Sequence, residues 1–132
     1  MKQLTRDMIK IYKPKGIDWM GYKLNTVQDL TYHHIVKKEH GGLFTFDNGA
    51  LLRGDTGHEY LHIIENKDLD MYIYINNILK EINTQQYRPT KEQLLLIKNV
   101  LLQFEREHCS DRNSKGKQLI KTKYIEGRRD LY

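Results

Sequence analysis

The chain is expected to fold as one α+β domain in which a β-hairpin rests on a helix and further helices flank it on both sides. Three observations predict this. The stretch Leu30-Thr-Tyr-His-His-Ile-Val36 is rich in β-branched and aromatic residues, and a second apolar run follows the Gly41-Gly42 turn signal. Apolar residues then recur at helical spacing over two long segments. The length, 132 residues with 39% hydrophobic and 30% charged, suits a single core.

In chain order, Leu4, Met8, Ile9, Ile11 and Tyr12 suggest a short N-terminal helix with Thr5 as its cap, broken by Pro14 and Gly16. Residues 13–30 have no period, and Trp19, Tyr22 and Leu24 are expected on the core. Residues 30–36 form the first strand. Leu43-Phe-Thr-Phe46 and Ala50-Leu-Leu52 form a returning strand with a loop inside it. Thr56-Gly-His-Glu59 has the pattern of a capping box, starting a helix that runs to about Asn66. Asp68 caps the next helix, with Tyr72, Ile75, Leu79 and Ile82 inward. Thr90-Lys-Glu-Gln93 caps the last, with Leu94, Ile97, Leu101 and Phe104 on one face. Residues 68–109 therefore supply two supporting helices.

No apolar run approaches the roughly 18 residues needed to span a bilayer, so a membrane partner is not expected. Residues 1–12 contain no secretory apolar stretch. Cys109 is the single cysteine, which excludes an intrachain disulfide and fits a reducing, cytoplasmic setting. The net charge is +5, and it is uneven. Residues 1–30 carry six Lys/Arg against three Asp/Glu, while residues 110–132 carry seven against three. Basic ends around a near-neutral middle suit a polyanion such as nucleic acid, since each neutralised phosphate releases counterions. A solvated tail is the plain alternative.

Five residues stand out on these elements. His33 and His34 are adjacent on a strand and so face opposite ways. His58 and His62 are four apart on a helix and share a face, which lets them grip one metal ion. Asn48 lies between them in the hairpin. Each feature alone is common. Their order is more specific: Tyr32-His33-His34-Ile35, Gly41-Gly42, Asn48-Gly-Ala-Leu-Leu52, then His58-x-x-x-His62.

Over residues 31–66 this pattern resembles the HNH endonuclease family, whose catalytic unit is a ββα-metal hairpin-plus-helix. The resemblance implies that His33, His58 and His62 hold a divalent metal, that His34 is the general base, and that Asn48 orients it. It implies DNA hydrolysis to 5′-phosphate and 3′-hydroxyl ends, in a protein of phage-like or mobile-element type. The chain departs from many members in lacking paired Cys-x-x-Cys motifs.

The residue types suit that chemistry independently. An imidazole titrating near neutrality can take a proton from water. Three neutral imidazoles suit zinc, nickel, cobalt or manganese better than magnesium. Lys37, Lys38 and Arg53 flank the site, and Lys115, Lys117, Lys121, Lys123, Arg128 and Arg129 enrich the basic tail; all are candidate phosphate contacts. His40, His108, Tyr72 and Tyr74 are read as surface or packing residues. Two other functions fit the same residues: a non-catalytic module of this fold that binds nucleic acid or protein, and a zinc-stabilised structural domain.

Overall fold

The computed structural model describes residues 1–108. Cys109 and the basic segment 110–132, with its six candidate phosphate contacts, lie outside the described residues. Helix α1 (Gln3–Tyr12) is followed by an irregular segment, strand β1 (Leu30–His34), a loop, and strand β2 (Gly49–Arg53). A π-helical turn (Gly54–His58) leads into α2 (Glu59–Lys67), and α3 (Leu69–Thr84) and α4 (Lys91–His108) complete the order. The arrangement is α+β. The two strands pair antiparallel, with His33 opposite Ala50 and His34 opposite Gly49.

Strand β2 is the centre of the core. Ala50, Leu51 and Leu52 are fully buried, and both α1 and α3 pack on this strand. Met8 and Tyr12 of α1, Trp19 and Tyr22 of the irregular segment, and Tyr60, Leu61 and Ile64 of α2 complete the apolar interior. On α3, Tyr72, Ile75, Leu79 and Ile82 face inward as their spacing predicts. Asp68 accepts from the Met71 amide, and Thr90 and Gln93 exchange bonds of 3.1 and 2.9 Å, so both caps form.

The hairpin is shorter than the apolar pattern suggests, and Asn48 is the reason. Its side-chain oxygen accepts from the Val36 amide at 2.8 Å, and its amide nitrogen donates to the Val36 and Leu43 carbonyls. After one further backbone bond, from the Ile35 amide to the Asn48 carbonyl at 2.9 Å, side-chain bonds replace the ladder. Tyr32 does the same for the returning segment: its hydroxyl donates to the Thr45 carbonyl at 2.8 Å. Residues 43–45 consequently form a loop and Phe46 opens a 3-10 turn (Phe46–Asn48), in place of a strand.

Two expected caps are also replaced. Thr5 is a buried residue inside α1, which starts at Gln3. Thr56 sits inside the π turn, its hydroxyl buried and without a hydrogen-bond partner among the described residues. The turn begins earlier because the chain is pinned there. The buried Asp18 carboxylate accepts from the amides of Met20, Tyr22 and Arg53, tying the irregular segment to the end of β2. Gly57 is pressed against this knot, where a Cβ would lie 2.6 Å from Asp18 Oδ2. Only glycine allows that approach, and the approach places His58 beside the hairpin. A π turn of this kind is a frequent companion of functional sites.

Candidate metal centre

Strand alternation puts Thr31 and His33 on the face of β1 that meets α2, and Tyr32 and His34 on the other. His33 is 2% exposed, its ring 5.4 Å from that of His58 and 6.0 Å from that of His62. The two helix imidazoles are 5.0 Å apart. One nitrogen from each of the three lies within 4.8 Å of the others, so the group could hold a metal ion. Tetrahedral ligands at about 2.0–2.1 Å from an ion stand roughly 3.4 Å apart, so binding requires a modest tightening. His62, whose side chain is half exposed, is free to make it.

The hydrogen bonds determine which nitrogen each histidine offers. His33 Nε2 is 2.9 Å from Asn76 Oδ1, and the Asn76 amide nitrogen donates to the Ile35 carbonyl at 2.7 Å. The Asn76 oxygen is therefore the acceptor, His33 carries its proton on Nε2, and its Nδ1 keeps a free lone pair. Thr31 donates its hydroxyl proton to the Leu52 carbonyl at 2.9 Å and so accepts from His58 Nδ1 at 2.8 Å. That leaves His58 Nε2 free. His62 Nδ1 is 3.3 Å from Glu65, which is itself ion-paired with Lys37. Partners of this type fix ring orientation and raise ligand basicity.

Electrostatics act in the same direction. Burial, opposed by Asn76 and assisted by the neighbouring imidazoles, holds His33 down at about 3. Burial and the nearby His62 hold His58 at about 4. Both rings are neutral at physiological pH, as metal ligands must be. Burial works against the charge of Glu65, but Lys37 and His62 outweigh it and keep the carboxyl below its ordinary range. The centre opens into a cavity of about 550 Å³ that His34, Lys38 and Tyr72 also line. The Tyr72 hydroxyl is buried without a hydrogen-bond partner among the described residues. Burial, then the negative charge of Glu65, raises its pKa, so it remains a proton donor in the cavity wall.

The other expected residues divide. His34 reaches the cavity from the opposite strand face, its ring 4.8 Å from that of Tyr32. Burial and then Lys38 and Lys2 lower its pKa, leaving a neutral imidazole able to accept a proton. The Asn48 amide is engaged with the backbone of Val36 and Leu43 and makes no hydrogen bond to His34. Its influence on that ring passes through the loop and the His34–Gly49 pairing. Lys37 lines the cavity but is ion-paired with Glu65 and Glu39. Arg53 is at the far end of the hairpin, bonded to Asp55 and to the Lys23 carbonyl at 2.6 Å, away from the cavity.

Sequence reasoning missed Thr31, Asn76, Glu65 and the role of Tyr72. Thr31 was legible as the residue two before His33 on the same strand face. Asn76 was legible as a polar residue four after Tyr72 on the inward stripe of α3.

Two expected results follow from this geometry. Thr31→Val removes the acceptor from His58 at nearly constant volume. Metal affinity should fall about 10- to 100-fold in a calorimetric titration, with the fold intact by circular dichroism. Unchanged affinity would remove Thr31 from the centre. The second concerns acid. Between pH 6.5 and about 4, unfolded chains bind protons at His33 and His58 that the folded chain refuses, so metal-free stability is complete above pH 6.5 and is lost below it. One pH unit below the ordinary value, His33 alone should contribute about 1 kcal/mol of that loss. Urea midpoints at pH 7.5 and 5.5 measure it, and a His33→Gln variant should show the smaller drop.

No family model, no curated protein and no solved structure matches this chain.

Proposed function

We propose that the chain is a metal-dependent endonuclease that hydrolyses DNA to 5′-phosphate and 3′-hydroxyl ends. One observation carries the reading: three imidazoles from the hairpin and the helical segment after it converge, with the free nitrogens of His33 and His58 selected by Asn76 and Thr31, while a fourth, neutral imidazole enters the same cavity from the other strand face. Structural zinc sites are closed, whereas this group has three ligands among the described residues, an exposed third histidine and an open cavity, as a catalytic site requires.

His33, His58 and His62 would hold the ion, and the donor set fits zinc, nickel, cobalt or manganese. When bound, such an ion stabilises charge on the phosphate and on the leaving 3′ oxygen. His34 takes the proton of the attacking water on its neutral ring. Lys38, which lines the cavity together with His34, offers a positive charge to the phosphate backbone. The HNH-like order of residues supports the same assignment.

Incubation of the metal-loaded protein with supercoiled plasmid is expected to give nicked circles that DNA ligase reseals. Ends that ligase rejects would oppose the reaction assigned here. DNA binding without any nick would favour the non-catalytic module.

A further inference from the structure

A second, larger cleft of about 790 Å³ adjoins the metal cavity, and the two share Tyr32, His34 and Lys38 in their walls. Its floor is aromatic. The Tyr32 and Phe44 rings meet edge to face at 4.5 Å, and the Phe44 ring lies 30° from parallel to that of His34. Tyr32 cannot swing away, because its hydroxyl is fixed on the Thr45 backbone. Phe44 is 37% exposed and Leu43 68% exposed, so a solvent-facing apolar lip borders the cleft. Such side chains are costly to leave in water unless something covers them.

The charge of the cleft is of one sign. Lys2 and Lys38 line it, and among the described residues no carboxylate does. The Lys2 ammonium lies 4.9 Å above the Phe44 ring, which marks the face of that ring open to a ligand. A flat π-surface beside two ammonium groups fits a base attached to its phosphates. It fits neither a neutral apolar peptide, which leaves the ammonium groups unmatched, nor a stacked base pair, whose faces are already covered.

Resting on the nuclease reading above, we propose that this cleft is a subsite for an unpaired nucleotide next to the scissile phosphate. Its base stacks on Phe44 in place of the Lys2 ammonium, and Lys2 and Lys38 take the flanking phosphates. His34 stands where the two cavities join, so a strand that enters the cleft presents its next phosphate to the metal centre. The substrate class is then single-stranded or locally splayed nucleic acid.

The test is fluorescence anisotropy with the full chain in EDTA, which prevents cleavage. The probes are a labelled single-stranded 12-mer, the same strand with abasic residues, and the duplex. Wild type should bind the natural strand about tenfold more tightly than the abasic strand. Phe44→Leu, which keeps apolar bulk at an exposed position, should remove most of that difference, and Phe44→Trp should keep it. Equal binding of natural and abasic strands, a Phe44→Leu variant that retains the difference, or tighter binding of the duplex than of the natural strand overturns the subsite while leaving the nuclease reading untouched. No binding of any probe overturns the subsite as well, and plasmid nicking by the metal-loaded protein decides the nuclease reading separately.

Discussion

Replacing His34 with alanine should lower the single-turnover cleavage rate by roughly a hundredfold or more, the usual scale for losing a positioned general base. Metal affinity in the same variant should stay nearly constant, because His34 lies on the strand face away from the three-histidine group. The His34 ring is only half-buried and makes no side-chain hydrogen bond among the described residues, so its removal should not unfold the protein. In the wild type, cleavage should rise with pH and level off at lower pH than for an ordinary imidazole, because burial and two lysines favour the uncharged ring. A variant that loses the metal together with activity would move His34 into the ligand set.

Replacing His33 should do what replacing His34 does not. His33→Ala removes a ligand and leaves the half-buried Asn76 oxygen without its donor, so metal affinity should drop at least a hundredfold and cleavage with it. The alanine variant also opens a void, and an unpaired buried acceptor costs about 1–3 kcal/mol. His62→Ala provides the control for folding: its side chain is half exposed, so it removes a ligand with little effect on stability. Calorimetric titration and thermal unfolding on both variants separate lost ligation from lost structure. If His33→Ala folds and binds the ion as the wild type does, the centre is not where the three rings meet.

The histidines were readable from the sequence because they obey local periods. Two residues per strand repeat separate His33 from His34, and four per helical turn align His58 with His62, so convergence required only that the hairpin rest on the helix. The caps at Asp68 and Thr90 were readable for the same reason. What failed was local pattern overridden by distant contacts. Thr56-x-x-Glu59 satisfies the capping rule, yet Asp18, far back in the chain, pins the start of the π turn and draws Thr56 inside the helix. Residues 43–46 have strand composition, but Tyr32 and Asn48 claim their backbone groups. Asn76 is legible as an inward polar residue of α3, but its partner His33 lies 43 residues away and is set by how that helix packs on the hairpin. Arg53 looked free to meet phosphate until Asp55 and the Lys23 carbonyl occupied it.

The most direct measurement is plasmid relaxation by the chelator-stripped full chain as zinc, nickel, cobalt or manganese is added in sub-stoichiometric steps. The stripped protein should be inert, and activity with at least one of these ions should climb to a break at one ion per chain, a break absent in His62→Ala. Relaxation in the continued presence of EDTA, or none with any ion that the protein demonstrably binds, would contradict the account.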